Sequence, residues 1–259
     1  MSSFLVVNPR AGDDRPSTGE LVRAAAARGI RTHVLGSGED PVELARAASA
    51  EAIGVAGGDG SLAAVAAVAL EREVPFVCVP LGTRNHFALD LGLHRDDPIG
   101  ALAAFSGRER RVDVGRAGGR LFLNNVSFGL YASLVAEAKG RRGRLGATLR
   151  LAFRGEHVRL AIDGRPVTAR IVVVGNNVYR LHPFELGERP RLDEGVLQLG
   201  IAHGLLPQRW EERRGPRFEI AGDGPLLEAA IDGEPVRLEA PLQLTVEPLA
   251  LRVLVPDGR

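Results

Sequence analysis

Residues 55–61, with the sequence VAGGDGS, combine a glycine-rich turn with one carboxylate. The turn follows an apolar run and precedes an alanine-rich segment, a setting in which free backbone N–H groups and a helix dipole favour an anion such as phosphate. Because a carboxylate repels phosphate, Asp59 requires a cation or a transferable proton between the two charges. The segment has neither the lysine of a Walker A loop nor the spacing of G-x-G-x-x-G. On its own it is equally compatible with a phosphate site and with a tight turn that binds nothing.

Two further glycine-containing turns follow predicted strands in the same half of the chain. Residues 80–93, PLGTRNHFALDLGL, place Gly82 and Thr83 after one strand, and residues 8–12, NPRAG, follow the first strand. Ligands of open α/β sheets bind at the carboxyl ends of parallel strands. Three such turns at one sheet edge favour phosphate binding over an isolated tight turn.

Residues 230–236, AIDGEPV, contain an Asp-Gly pair that is typical of a type I′ hairpin turn. Residues 161–167, AIDGRPV, repeat this segment almost unchanged, with Arg165 in place of Glu234. The turn itself therefore does not require a carboxylate. Glu234 is either a solvated hairpin tip or a positioned general base, and the local sequence leaves both interpretations open.

Short apolar runs alternate with alanine-rich segments through the first half of the chain. This alternation predicts parallel strands joined by helical crossovers, as in a Rossmann-like α/β nucleotide-binding domain. Ser17 or Thr18 is expected to cap the first helix, and Asp40 with Pro41 is expected to start the second. The predicted strands are 4–7, 31–35, 52–56 and 75–80, and the predicted helices are 17–28, 40–50, 61–73, 86–91 and 98–106.

In the second half the pattern changes to short β runs separated by Asp-Gly and similar turn signals. We therefore predict an antiparallel β-sandwich domain over 113–248, interrupted by one helix at about 130–154, after an α/β domain over 1–112. The expected fold class is α/β plus all-β. The cleft between two such domains is the usual place for a ligand site.

The bulk composition narrows the class of protein. The chain has 259 residues, is 45% hydrophobic and 25% charged, and carries a formal net charge of +1, which gives no support for nucleic-acid binding. Cys78 is the single cysteine and lies in an apolar run, so we expect a buried thiol and no disulfide framework. The first residues do not resemble a signal peptide, and no apolar stretch reaches the roughly 18 residues that span a bilayer. We expect a cytoplasmic protein whose membrane contacts are peripheral.

Four motifs, NPRAG, GGDGS, PLGTRNHFA and DGEPV, occur in an order and at a spacing that resemble the diacylglycerol kinase catalytic family. The family includes soluble bacterial lipid kinases, sphingosine and ceramide kinases and, more distantly, NAD kinases. The resemblance covers essentially the whole chain, including the closing VEPLALRVLVP. It implies ATP- and Mg²⁺-dependent phosphorylation of a lipid hydroxyl and an ATP cleft between an α/β domain and a β-sandwich. It also implies that the last strand, within 249–259, returns to the first domain.

The resemblance assigns roles to individual residues. Glu234 matches the glutamate that accepts the hydroxyl proton, Asp232 belongs to the same motif, and Asp59 matches the carboxylate that orders magnesium or the substrate hydroxyl. Ser37 lies near a position where the family often places a nucleotide-contacting threonine, although its segment, LGSGED, aligns poorly. The residues expected to hold ATP are Asn8, Pro9, Arg10, Ala11, Gly12, Ser37, Gly57, Gly58, Asp59, Gly60, Ser61, Leu62, Gly82, Thr83 and Asn85.

Two positions depart from the family pattern. His86 stands where an aspartate of an acidic magnesium network is usual, and imidazole is a poor ligand for Mg²⁺; a solvent-facing residue beside a helix N-cap is the alternative. The structural metal loop of the family corresponds to RLDEGVL, with Glu194 in place of aspartate and the carbonyls of Arg191 and Val196 as further ligands. Because an arginine side chain beside a cation is unfavourable, we expect this ion to be weak or replaced by the guanidinium. Full binding of Mg²⁺ at Glu194 in a magnesium-soaked crystal would refute that expectation.

Partners and rival functions stay open at this point. The arginine-rich segment 139–159 is either a solvated helix face or a peripheral contact with anionic lipid, which neutralising Arg141, Arg142 and Arg144 would test. An NAD kinase also carries GGDG, but no Asn-Glu pair follows PLGTRNHFA here. A catalytically silent nucleotide- or lipid-binding protein is the other rival. The expected partner is a lipid at a membrane surface, with diacylglycerol, ceramide, a sphingoid base and phosphatidylglycerol all open, and a homodimer stays open too.

Overall fold

A computed structural model describes residues 2–11, 16–81, 85–129, 157–182, 185–204 and 210–257. The chain divides into two units. The α/β unit comprises Met1–Val112 together with Leu249–Arg259, and the β unit comprises Asp113–Pro248. The predicted helix at 130–154 and most of the arginine-rich segment lie outside the described residues.

Four parallel strands form the centre of the α/β unit: β1 (Ser3–Val7), β2 (Ile30–Val34), β3 (Ala52–Gly57) and β4 (Phe76–Pro80). Their order in the sheet is β2-β1-β3-β4. Every residue of β3 and β4 is buried. Strands of a parallel sheet are covered on both faces, which explains why these segments are continuously apolar. The predicted α/β class is confirmed for this unit.

In the described part of this unit, five α-helices connect the strands or follow them: α1 (Thr18–Ala26), α2 (Pro41–Ala47), α3 (Asp59–Glu71), α4 (His86–Asp90) and α5 (Pro98–Ala101). Ser17 caps α1 in a capping box with Glu20. Asp40 caps α2 by accepting from the backbone N–H of Val42 at 2.8 Å, with Pro41 at the first helical position. These two caps were predicted from the sequence.

The structure corrects two predicted helix bounds. The segment 98–106 is a short α-helix followed by a 3₁₀ helix, Leu102–Ser106, rather than one α-helix. Helix α3 begins at Asp59, two residues before its predicted start, because the carbonyl of Gly58 accepts from the N–H groups of Ser61 and Leu62 at 2.9 and 3.0 Å. Asp59 therefore belongs to the first turn of the helix and not to the preceding loop.

Strands of the β unit follow a long strand that crosses the unit boundary, β5 (Arg108–Ala117). They are β6 (Arg120–Phe122), β7 (Asn125–Gly129), β8 (Val158–Ile162), β9 (Arg165–Ala169), β10 (Ile171–Asn176), β11 (Leu181–His182), β12 (Glu185–Leu186), β13 (Leu197–Ala202), β14 (Glu211–Gly215), β15 (Arg217–Gly222), β16 (Leu226–Ile231) and β17 (Glu234–Glu239). The last strand, β18 (Leu242–Val255), begins in the β unit and ends in the α/β unit.

Two antiparallel arrangements of these strands enclose the core of the β unit. One is a sheet of six strands in the order β14-β13-β10-β7-β16-β17. In the other, β15 lies between β8 and the first part of β18, and β9 extends it beyond β8. Buried side chains such as Phe128, Val174, Leu199, Phe218 and Ile220 pack in one cluster. The predicted antiparallel β class is confirmed for the second half of the chain.

Within the α/β unit, the end of β18 adds a strand to the parallel sheet. Val253 pairs with Phe76 in parallel register. The Arg252 guanidinium donates to both carboxylate oxygens of Glu109, at 2.9 and 2.6 Å, and this bidentate pair fixes β18 to β5. The C-terminal residues thus complete the sheet that the first residues of the chain begin.

Across the described ranges, no helix has the length and apolar character needed to cross a bilayer. Cys78 is fully buried in β4. Burial, and to a smaller extent the negative charge of Asp59, raise the pKa of its thiol far above the usual range. The raised pKa favours the protonated form of the thiol.

Candidate active site

Asn8 ties the turn after β1 to the start of α3. Its backbone N–H donates to the carbonyl of Ala56 at 2.9 Å, and its side-chain Nδ2 donates to the Ser61 hydroxyl at 3.2 Å. The side-chain oxygen of Asn8 accepts from the N–H of Arg10 at 3.1 Å and so closes the NPRAG turn. The turns that follow two neighbouring strands are thereby held together at the carboxyl edge of the parallel sheet.

Gly57 and Gly58 let the chain pass from β3 directly into α3. A Cβ atom on Gly57 would lie 2.9 Å from the Cβ atom of Ser61, closer than side chains pack. Gly58 is the N-cap residue in an extended conformation and supplies no side-chain cap. In α1 and α2 the side chain of the N-cap residue accepts a hydrogen bond from a backbone N–H group of the first turn. The N-cap residue of α3 makes no such hydrogen bond, and this arrangement favours an anionic ligand.

Substituting Gly57 by alanine should weaken nucleotide binding. The new methyl group must push away either β3 or the first turn of α3, and overpacking of this kind usually costs about 1–3 kcal/mol. Where this free energy is lost from ATP binding, the Kd for ATP rises roughly 5- to 100-fold. Equilibrium titration with a fluorescent ATP analogue measures the change. Gly19→Ala is the control, because its Cβ would meet only Arg23 Nη1, at 3.5 Å; equal Kd values for the two variants would contradict the close approach at Gly57.

Asp59 occupies the first position of α3 and is partly buried. The positive end of the helix dipole stabilises a carboxylate there. Mg²⁺ takes oxygen ligands and is often held by one or two carboxylates together with substrate phosphates. Within the described residues there is no group of three His, Cys, Asp or Glu side chains that could hold a metal ion by themselves. Asp59 fits an ion that arrives with a phosphate rather than a preformed metal cage.

The remaining residues predicted to hold ATP have different surroundings. Ser37 is exposed in the turn after β2, next to Gly36, whose carbonyl accepts from the Arg10 guanidinium at 3.5 Å.

Asn85 is fully buried in the left-handed conformation, with φ of 45°, and is the N-cap residue of α4. His86 follows it and is exposed, as its solvent-facing interpretation expects. Pro9 and Ala11 belong to the NPRAG turn, and Leu62 is buried in α3. Gly12, Gly82 and Thr83 lie outside the described residues.

The two Asp-Gly hairpins of the β unit share one backbone geometry. Asp232 and Gly233 have φ of 46° and 79°, and Asp163 and Gly164 have φ of 51° and 74°. Positive φ at both central residues of a two-residue connection is the geometry of a type I′ turn. Glu234 is the first residue of β17 and pairs with Ile231. The predicted hairpins are confirmed, and only the surroundings of the two aspartates differ.

Asp232 is buried against the chain segment 123–125. Its Oδ2 atom accepts from the N–H of Leu123 at 2.8 Å, and its Oδ1 atom accepts from Asn124 and Asn125 at 2.8 and 3.0 Å. Asp163, in the matching hairpin, is exposed, and its Oδ1 atom accepts from the N–H of Glu219 at 2.9 Å. Both oxygens of Asp232 are therefore engaged with the backbone, which suits a residue that positions the turn rather than one that reacts.

Sequence analysis missed Arg189, a buried arginine in the β unit that is 2% exposed. Its Nη1 atom donates to the carbonyls of Leu123 and Asn176, at 2.6 and 2.9 Å, and its guanidinium lies 5.2 Å from the centre of the Tyr179 ring. In the sequence Arg189 stands in GERPR, where a charged residue normally indicates a solvated loop. No local signal marks it, because the carbonyl groups that it donates to are 13 and 66 residues away in the chain.

The loop 191–196 carries polar contacts of its own. The Glu194 carboxylate accepts from the N–H of Val178 at 2.9 Å, and the Val196 carbonyl accepts from the N–H of Asn177 at 2.9 Å. The Arg191 Nε atom donates to Asp193 at 3.0 Å, and this hydrogen bond is the main cause that raises the pKa of the arginine. A guanidinium among these carboxylates does not fit a divalent cation. The assignment of Glu194, Arg191 and Val196 to a metal stays a prediction.

Comparison with known proteins finds a matching family model and similar chains. Residues 2–117 match the family model for the diacylglycerol kinase catalytic domain, so this part of the chain is similar to that kinase family. One relative, from Pseudomonas aeruginosa, is named "Probable lipid kinase YegS-like" and is 28% identical over 297 residues, which cover 96% of this chain and 92% of the relative. A protein of the same name from Pectobacterium atrosepticum is 26% identical over 287 residues, covering 98% of this chain and 96% of the relative.

The fold is also similar to a solved structure. The crystal structure of a diacylglycerol kinase from Bacillus anthracis superposes with a TM-score of 0.76 at 22% sequence identity, over 99% of this chain and 97% of the other. At this identity the similarity concerns the fold alone. It agrees with the order of an α/β half followed by an antiparallel β half.

Proposed function

We propose that this protein transfers the γ-phosphoryl group of ATP to the hydroxyl group of a lipid. The observation that carries the proposal is the start of α3. A helix without a side-chain cap follows Gly57, where a Cβ atom would lie too close to Ser61, and Gly58, and Asp59 stands in its first turn. Both features lie within the residues that match the kinase family.

In this proposal the α/β unit binds the nucleotide. The N–H groups at the start of α3 donate hydrogen bonds to the phosphates, and the hydrogen bond from Asn8 to Ser61 holds the two turns in register. ATP would supply the phosphoryl group, and Mg²⁺ held by Asp59 would neutralise charge on the phosphates. Phosphoryl transfer depends mainly on positioning and electrostatic stabilisation, and both are tasks that a fixed backbone can perform.

The β unit is proposed to supply the proton acceptor. Glu234 is partly buried at the start of β17, directly after a turn whose first residue is anchored by both carboxylate oxygens. A general base must hold its carboxylate within hydrogen-bonding reach of the hydroxyl proton. An anchored turn limits the motion of Glu234 and suits this task better than the exposed turn at Asp163 does. Asp232 is assigned a positioning role in this scheme.

A cavity in the β unit supports a lipid as the acceptor. Its volume is about 540 Å³, and its lining includes Leu160, Leu226, Leu227 and, next to Glu234, Pro235. Leu226 is 55% exposed there. The lining also includes the charged residues Arg159, Asp223 and Glu228, so the cavity offers polar as well as apolar surface and suits an amphipathic ligand. We propose that this cavity receives an apolar chain of the acceptor.

The proposal is tested by incubating the protein with γ-³²P-labelled ATP, Mg²⁺ and a total lipid extract. We expect label in the organic phase, in a product that mass spectrometry identifies as a phosphorylated lipid. A parallel reaction with NAD tests the NAD kinase alternative. Label in NADP, or ATP binding without label in any acceptor, would contradict the proposal.

A further inference from the structure

A continuous set of hydrogen bonds joins two buried charges in the β unit. The segment 123–125 lies between them: its N–H groups point to the Asp232 carboxylate, and the carbonyl of Leu123 accepts from the Arg189 guanidinium at 2.6 Å. Asn124 adds a side-chain contact, in which its Oδ1 atom accepts from Arg189 Nη2 at 3.4 Å. Residue Leu123 thus bonds to the anion through its N–H and to the cation through its C=O.

Both charges are well removed from water. Asp232 is 8% exposed and Arg189 is 2% exposed. A buried charge is strongly unfavourable unless hydrogen bonds and an opposite charge compensate it. Peptide groups aligned between an anion and a cation polarise one another, so each charge strengthens the hydrogen bonds made to the other side of the same peptide segment. The two side chains therefore depend on each other without direct contact.

The segment 123–125 and the hairpin turn are fixed to each other by more than the carboxylate. The backbone N–H of Asp232 donates to the carbonyl of Asn125 at 2.9 Å. On the opposite side, the Tyr179 hydroxyl and the Asn176 N–H donate to the carbonyl of Asn124, at 3.1 and 2.9 Å. A displacement of this segment would therefore be transmitted to the turn that carries Glu234.

The matching hairpin shows what the turn needs when it carries no candidate base. Asp163 is exposed, and Arg165 at the position of Glu234 is exposed as well. The type I′ geometry is retained there without a buried carboxylate. The buried arrangement around Asp232 is thus not required to make the turn, and it calls for another explanation.

We propose that Arg189 is a positioning residue for the reaction, because it holds the segment 123–125 and, through it, the Asp232 turn that places Glu234. The proposal rests on the role proposed above for Glu234 as proton acceptor. It assigns a function in turnover to a residue whose described hydrogen bonds go to Leu123, Asn124 and Asn176. Loss of Arg189 should misplace the base while the nucleotide site in the α/β unit is unchanged.

The first test compares kinetic constants of Arg189→Met, Arg189→Lys and the wild-type protein. We expect Arg189→Met to lower kcat about 10- to 100-fold with the KM for ATP unchanged, because small misplacements of a catalytic group have effects of this size. Arg189→Lys retains the charge but not the forked donor geometry, so it should recover part of the loss. Phe218→Leu is the control for stability: it disturbs a buried residue of the same unit, which is 4% exposed, and should leave kcat per folded molecule unchanged.

The second test measures hydrogen exchange at the N–H groups of Leu123, Asn124 and Asn125, which needs no enzymatic activity. In Arg189→Lys these amides should exchange at least about tenfold faster than in the wild-type protein, because their carboxylate acceptor is held less firmly. Unchanged exchange in the folded variant would overturn the proposal. If the wild-type protein phosphorylates no lipid, the proposed function fails, while the exchange data still decide whether Arg189 holds the segment.

A double-mutant cycle covers the case in which Arg189→Met does not fold. Asp232→Asn removes the buried negative charge, so the double variant Arg189→Met with Asp232→Asn should fold better than Arg189→Met alone, and the two effects should not add. Additive effects on stability, or a folded Arg189→Met with kcat within twofold of the wild-type value, would contradict the coupling.

Discussion

Glu234→Gln is expected to lower the rate of phosphoryl transfer by about 10²–10⁴-fold, the usual contribution of a general base. Glutamine keeps the length and the hydrogen-bonding capacity of the side chain but cannot accept a proton at neutral pH. The nucleotide turns belong to the α/β unit, so ATP should bind to the variant with unchanged affinity. Single-turnover assays with labelled ATP and calorimetric titration of ATP separate the two effects.

The chain contains its own control for this substitution. Arg165→Gln introduces the same residue, glutamine, at the matching position of a hairpin with nearly the same sequence and the same turn geometry. It should leave both turnover and stability close to the wild-type values, because Arg165 is exposed. Turnover by Glu234→Gln at the wild-type rate would place the base elsewhere, and Asp59 would then be the next candidate.

Asp59→Asn is expected to lower kcat about 10²–10³-fold and to shift the dependence of turnover on Mg²⁺ to higher concentrations. Asparagine has nearly the same shape, so α3 should begin at the same residue, but the negative charge that would hold the ion is lost. Initial rates measured over a series of Mg²⁺ concentrations give both quantities. The variant distinguishes a metal-ordering carboxylate from one that only stabilises the helix.

Glu43→Gln provides the comparison for Asp59→Asn. Glu43 is also an acidic residue in the first turn of a helix, α2, but it is exposed and pairs with Arg46 at 3.3 Å. Its loss should have a small effect, as expected for an exposed ion pair within a helix. If both variants showed the same turnover and the same Mg²⁺ dependence, Asp59 would have no part in ordering the ion.

The fold class follows from local patterns in the sequence. Continuous apolar runs such as β3 and β4 indicate strands covered on both faces, and Ser17 and Asp40 cap helices where side-chain chemistry places them. The exact start of α3 was missed, because glycines leave the chain free to begin the helix early. The carbonyl of Gly58 then decides the boundary by accepting the first helical hydrogen bonds.

The surroundings of the candidate base could not be predicted in this way. The two Asp-Gly hairpins differ in sequence by one residue over seven, yet one aspartate is buried and the other is exposed. The difference arises from the segment 123–125, which is 107 to 109 residues away from Asp232 in the chain, and from Arg189 on its far side. Contacts at this separation leave no periodic signal, so only the folded chain relates them.

The role of Asp59 is interpreted differently from the sequence and from the folded structure. As a residue in a glycine-rich turn it is a negative charge where phosphate is expected. In the structure it belongs to the first turn of α3, where the helix dipole favours its charge and leaves the backbone N–H groups for the ligand. Together with the match of residues 2–117 to a kinase family, this placement supports a carboxylate that orders an ion beside the phosphates.

The most direct measurement is the transfer of ³²P from γ-labelled ATP into lipid by the wild-type protein, Glu234→Gln and Arg165→Gln, assayed side by side with the same lipid extract. The account predicts organic-phase label from the wild-type protein and from Arg165→Gln at similar rates, and almost none from Glu234→Gln, although all three bind ATP. Equal label from all three proteins, or label from none of them, would contradict it.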